Sequence, residues 1–127
     1  MLKHSIPLSE IASTHAEIRQ TLPEEEEIVA MGRVFQALSD PTRCKIILTL
    51  INHELCVTDL SDILGVSISG ISHHLRGLRD NRIVKTRRDG NTIYYSVDDA
   101  HVGNLFQEVM YHLDHVEHNL PDHPGNR

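Results

Sequence analysis

Apolar residues recur at steps of three and four over most of this chain, and give way to β-branched and aromatic runs in one stretch, 83–97. Scattered Ile and Leu from Ser9 to Leu22 predict a short helix ended by Pro23. Glu24 to Glu27 put acids in the first turn of a second helix, where the dipole favours them. Its apolar stripe runs through Ile28, Val29, Met31, Val34, Phe35 and Leu38. Asp40-Pro41 predicts the next start, Asp as N-cap and Pro in the first turn, with Ile46, Ile47, Leu48, Leu50 and Ile51 as core. Thr58 is the predicted N-cap of a short helix through Leu60, Ile63 and Leu64, ended by Gly65. Another helix starts at Ser67 or Ser69, runs over about 68–81 and turns Ile71, Leu75 and Leu78 inward.

Two short helices around a glycine turn are a helix-turn-helix. Its second helix exposes Ser67, Ser69, Ser72, His73 and Arg76, with His74 at its margin. Hydroxyls and cations are the groups that reach base edges and phosphates. Residues 83–88 and 92–97 flank Asp89-Gly90-Asn91 and predict a β-hairpin. After a helix-turn-helix a hairpin is a wing, and Arg87 and Arg88 near its tip are candidate DNA contacts. Of Tyr94 and Tyr95, one is expected inward and one on the sheet surface. The last helix, 99–118, carries Val102, Leu105, Phe106, Val109, Met110, Leu113 and Val116, more than one narrow stripe. It should bury one side on its own domain and another on a partner.

The fold class is therefore mainly α with a small β-hairpin, a winged helix-turn-helix paired through N- and C-terminal helices. Residues 1–23 form a partly helical arm, 24–118 the domain and 119–127 a flexible tail. A chain of 127 residues holds one domain with a modest core. Two cysteines, Cys44 and Cys56, make no disulfide framework. Without an apolar run of membrane length or a signal core near its start, the chain is expected to be cytoplasmic, with no membrane partner.

The net charge of −6 argues against a nucleic-acid partner until its distribution is read. Residues 67–91 hold Arg76, Arg79, Arg82, Lys85, Arg87 and Arg88 against Asp80 and Asp89, a local +4 between acidic ends. The local field governs phosphate binding.

The C-terminal helix carries the candidate metal chemistry. His112 follows His101 by 11 residues, and His115 follows by three more. Eleven residues rotate a helix by about 20° beyond whole turns and advance it by about 16 Å. One face thus carries both imidazoles, too far apart for one ion with bonds near 2.0–2.1 Å. Two antiparallel copies would bring Asp99 and His101 of one chain to His112 and His115 of the other. Each of two such sites has three imidazoles and a carboxylate, which suits tetrahedral Zn(II). Asp98 is an alternative to Asp99, and His118 lies about 100° off the ligand face.

Ala37 to Arg43 (Ala-Leu-Ser-Asp-Pro-Thr-Arg), Glu54 to Leu60, Ser72-His73-His74-Leu75, the wing and the Asp-x-His-x10-His-x2-His string together resemble the ArsR/SmtB family of metal-sensing repressors, over about residues 25–118. The resemblance implies a dimer that binds palindromic operator DNA without metal and releases it with metal, Zn(II) or alternatively Co(II), Cd(II) or Ni(II). It carries the ligands over to Asp99, His101, His112 and His115. It also implies that His112 hydrogen-bonds backbone near Arg82, coupling metal to the reading helix. Some relatives bind metal between the arm and the helix near Cys56. Here Thr58 replaces the second cysteine, leaving Cys56 and Asp59 with His15 or His4 for a weaker mixed site. A catalytic zinc would need an open position and a general base nearby, so no enzyme activity is expected. A repressor of this fold that senses a non-metal signal is the alternative.

Overall fold

The computed structural model describes residues 7–118. The expected flexible tail at 119–127 and His4 lie outside them. The chain forms two compact units, Met1–Arg33 and Val34–Arg127, divided within the second helix. Helix α1 (Leu8–Thr21) buries no residue, and the Thr21 hydroxyl donates to the Ile18 carbonyl at its end. Helix α2 (Glu25–Leu38) opens with Glu25, Glu26 and Glu27 in its first turn and buries only Ala37 and Leu38 at its end.

The larger unit continues with α3 (Pro41–Leu50), β1 (Leu55–Cys56), α4 (Val57–Leu64) and α5 (Ile68–Asp80). It closes with β2 (Val84–Asp89), β3 (Thr92–Val97) and α6 (Ala100–His118). Asp40 caps α3 as predicted, accepting from the Arg43 N–H at 3.1 Å, and Pro41 occupies the first turn. Ile46, Ile47 and Leu50 are fully buried, Ile51 is partly so, but Leu48 is 40 % exposed. Its expected core role is corrected by helical geometry: next after Ile47 is about 100° around the axis, off the buried face.

Ile71, Leu75 and Leu78 meet Leu60, Ile46 and Ile47 in the core, each shielded to 1 % exposure or less. Complete burial of such a side chain contributes about 1.5–3 kcal/mol, so these residues fix how α5 sits on α3 and α4. The sheet order is β1-β3-β2, all antiparallel. The predicted hairpin is present, and the two-residue β1 adds a third strand to it. Gly90 at φ 63° leads the Gly90-Asn91 loop, in the first central position that favours glycine in a tight hairpin. Tyr95 packs on the core while Tyr94 lies under the Arg87 guanidinium.

Val102, Leu105 and Phe106 pack α6 on the core, whereas Val109, Met110, Leu113 and Val116 are 48–65 % exposed. The first half of α6 thus buries its apolar residues within the chain, whereas these four of the second half stay exposed. No helix among the described residues is long and apolar enough to cross a membrane.

Candidate nucleic-acid interface and metal ligands

The turn between α4 and α5 is built from local polar bonds. Cys56, not the predicted Thr58, caps α4. The Asp59 carboxylate accepts the Cys56 N–H at 3.3 Å while the Cys56 sulfur faces the Asp59 N–H, closing a capping box, and the thiol also donates to Asp59 Oδ2 at 3.2 Å. Pairing with β3 through the Cys56–Tyr94 register holds Cys56 extended, as an N-cap requires, and moves the start two residues earlier. Gly65 ends α4 at φ 67°, in the left-handed region, and the Ser61 hydroxyl donates to the Val66 carbonyl at 2.6 Å across the turn.

Ser67 caps α5, accepting the Gly70 N–H at 3.1 Å, and its hydroxyl lies 3.3 Å from that of Ser69. Ser67, Ser69, His73 and Arg76 are exposed, while Ser72 and His74 are half-buried. The predicted reading face is therefore open to a ligand, except that Ser67 already serves the helix start. Ile68, also exposed, sets an apolar side chain beside these serines.

On the wing, Arg88 is exposed, but Arg87 is engaged. Its Nε donates to Glu54 at 3.0 Å and its second terminal nitrogen at 2.8 Å, while its guanidinium stands 5.0 Å from the Tyr94 ring centre. The cause is register: Arg87 faces Tyr94 across β2–β3, and Glu54 immediately precedes β1 on the other side of β3. The Arg87 hydrogen bond holds the Glu54 carboxyl below its ordinary range, and Glu54 in turn raises the guanidinium above its own.

Arg76, Arg79, Arg82, Lys85 and Arg88 are all exposed along α5 and the wing. Arg82 has φ 57°, unusual for a residue with a Cβ. Its N–H donates to the Arg79 carbonyl and that of Ile83 to the Leu78 carbonyl, both at 2.9 Å. This is a Schellman ending with arginine where glycine is usual, sealed by the buried Ile83 beside Leu78.

The four candidate metal ligands lie on or beside α6. Asp99 Oδ1 accepts the His101 N–H at 2.9 Å and sits 3.3 Å from His101 Nδ1. His101 is almost fully exposed, His112 is exposed and His115 is half-buried. Because α6 is one continuous helix from Ala100 to His118, His101 and His112 stand about 16 Å apart along it. Among the described residues no three of His, Cys, Asp and Glu gather within one chain to hold an ion. Three imidazoles and a carboxylate are nevertheless a donor set that suits Zn(II). His118 instead turns onto its own helix, Nδ1 lying 2.8 Å from Asp114 Oδ1. Cys56 and Asp59 of the weaker candidate site are together, and His15 is exposed on α1. Asp98, the alternative carboxylate, donates its N–H to the Ile83 carbonyl, next to Arg82.

Residues 40–86 match the family model for bacterial regulatory proteins of the arsR family. The transcriptional repressor SmtB homolog of Synechocystis is 44 % identical over 112 residues, 85 % of this chain and 85 % of that protein. The chain belongs to the ArsR family. A cadmium resistance transcriptional regulatory protein, the CadC homolog of Staphylococcus aureus, is 45 % identical over 87 residues, 68 % of this chain and 72 % of its own. The solution structure of a homodimeric winged helix-turn-helix DNA-binding domain from Mycobacterium bovis superposes with a TM-score of 0.69 at 24 % identity. It covers 80 % of this chain and 96 % of that one, and the ArsR-family chain shares its winged helix-turn-helix fold. The two relatives are transcriptional regulators, and this member of the ArsR family is a regulator and not an enzyme.

Sequence reasoning missed three residues of this region. Glu54 stands in the family motif without a role, because its partner is 33 positions away. Arg43 was part of the family motif without a role, yet it reaches α5. Gly77 carries no side chain to signal a role, yet it faces that arginine.

Proposed function

We propose that the chain is a metal-responsive transcriptional repressor that binds palindromic operator DNA as a homodimer and releases it when Zn(II) binds. The observation that carries this reading is the division of α6. Its ligand pairs Asp99–His101 and His112–His115 lie at separate levels of one helix, and its second half exposes Val109, Met110, Leu113 and Val116. An antiparallel partner helix would cover those apolar residues and complete both ligand sets at once. When bound, the ion supplies a cross-link between the two chains. The donor set favours Zn(II); Co(II) and Cd(II) suit the same nitrogen and oxygen ligands, and Ni(II) prefers more of them.

The DNA would be read by Ser69, Ser72, His73 and Arg76 in the major groove, with Ser67 at the helix start and Arg88 at the wing. Half-sites would then lie about 34 Å apart, one helical turn of DNA. The exposed arginines of α5 and the wing give the local field, and the acidic ends keep non-specific affinity low. Such a regulator works in the cytoplasm, beside its DNA. His112 bonding to the backbone at Arg82 would link the metal level to the end of α5, and the coupling must be reciprocal.

Cys56 and Asp59, paired at 3.2 Å, would be the donors of the second and weaker mixed site. Both side chains already satisfy the α4 start, so metal there would compete with the capping box.

The test is titration of operator DNA, selected by the protein from a random duplex pool, with and without Zn(II), for wild type and His112→Ala. Zinc should release wild type only. Equal affinity in all four conditions would remove the metal switch and leave a repressor of this fold sensing another signal.

A further inference from the structure

The N-terminal end of α3 touches the reading helix through one side chain. Arg43 Nε donates to His74 Nδ1 at 3.2 Å, and a terminal nitrogen of the same guanidinium donates to the Ala37 carbonyl at 3.3 Å. One planar group thus spans from the last turn of α2 to the middle of α5. It fits because residue 77 has no side chain: a Cβ on Gly77 would stand 2.5–2.8 Å from the guanidinium atoms. On the far side, the His74 ring meets the His73 ring edge-on at 5.5 Å.

Resting on the DNA-binding reading, we propose that Arg43 is a positioning residue for the reading helix, holding α5 and the exposed His73 in the pose that meets DNA. A guanidinium can only donate, so the ring nitrogen facing it must accept. The neutral His74 ring then carries its proton on Nε2. The Asp40 carboxylate is 3.9 Å from the same Nδ1, beyond hydrogen-bond reach, and already accepts the Arg43 N–H. Arg43 therefore fixes both the place and the tautomer of His74, and the His74 ring limits the rotation of His73. Hydrophobic burial of Ile71, Leu75 and Leu78 seats α5 on the core; this bridge adds a directional polar constraint at the middle of the helix.

Gly77→Ala tests the bridge. Alanine is the better helix former, so the helix itself should gain, and the guanidinium, as the end of a flexible side chain, should be displaced. In wild type, nitrogen-15 NMR of the full chain should find His74 as the Nε2–H tautomer. In Gly77→Ala it should find a mixture, and affinity for the selected duplex should fall about tenfold, the worth of one charged hydrogen bond. Arg43→Lys keeps the charge but loses the fork, and should do the same with the α5 backbone untouched. The double variant should be no worse than either single one. An Nδ1–H tautomer in wild type, or unchanged duplex affinity in both folded variants, would overturn the proposal. If wild type selects no duplex at all, the DNA-binding reading fails, while the tautomer still reports on the bridge.

Discussion

Arg87 and Glu54 form a two-pronged ion pair across the sheet, with nitrogen–oxygen distances of 2.8 and 3.0 Å, on the face where Tyr94 underlies the guanidinium. The wing arginine that charge alone would offer to DNA is thereby committed to the protein. Arg88, one residue on and exposed, faces no such competitor among the described ion pairs.

The two arginines should therefore separate in DNA binding. Arg88→Ala should weaken binding and reduce the salt slope by about 0.9, the value of one phosphate contact on duplex DNA. Arg87→Ala should change the slope little. Glu54→Gln should release Arg87 and steepen the slope by up to about the same amount. Fluorescence anisotropy across a range of KCl concentrations reads all three. Equal slopes for the two alanine variants would show that DNA displaces Glu54.

The same pair has a pH signature. Glu54 titrates below its ordinary value in the folded chain, chiefly because Arg87 hydrogen-bonds its charged form. A depressed carboxylate contributes stability above its unfolded value of 4.5 and loses it as pH falls through the folded value. Arg87 is raised, so its share is lost only at strongly alkaline pH. Urea melts of wild type between neutral pH and pH values below 4.5 should thus decline on the acid side, and Glu54→Gln should decline less. Both residues are exposed at the surface, so solvent screening keeps the difference small.

What the sequence made legible follows from the range of each interaction. Helix spacing and local caps at Asp40, Ser67 and Gly65 act within four residues, and the α3–α5 layout follows from them. Cys56 displaced Thr58 as N-cap because β1 pairs with β3, some 38 residues on through the Cys56–Tyr94 register, which no local pattern encodes. Arg43 meets His74 across 31 positions, and Glu54 meets Arg87 across 33. The spacing of the candidate histidines His101, His112 and His115 was legible for the opposite reason. It lies within one helix, and α6 runs unbroken through it.

Arg82 offers a stability prediction that also bears on coupling. The left-handed backbone at φ 57° costs a Cβ-bearing residue roughly 1–2 kcal/mol, which Gly avoids. The added freedom of Gly in the unfolded chain takes back roughly 0.4–1 kcal/mol. Arg82→Gly should therefore raise stability by about 0.5–1 kcal/mol in denaturant melts. Zinc should still release its DNA, because the proposed bond from His112 uses the backbone and not the side chain. Operator affinity should drop slightly through the lost charge. Loss of zinc response in Arg82→Gly would implicate the guanidinium itself.

The intersubunit character of the metal sites can be tested by mixing variants. Each of Asp99→Ala, His101→Ala, His112→Ala and His115→Ala should weaken Co(II) binding by at least about tenfold, read by visible absorption, while His118→Ala, whose ring turns to Asp114, should not. Neither His101→Ala nor His112→Ala has an intact site as a homodimer. In a heterodimer of the two, one site loses both imidazoles, and the other keeps His101 from one chain with His112 and His115 from its partner. Random exchange makes half the dimers mixed, each with one of two sites restored, so mixing should recover about a quarter of wild-type Co(II) sites. A site contained within a single chain predicts no recovery, since every chain in the mixture lacks one imidazole.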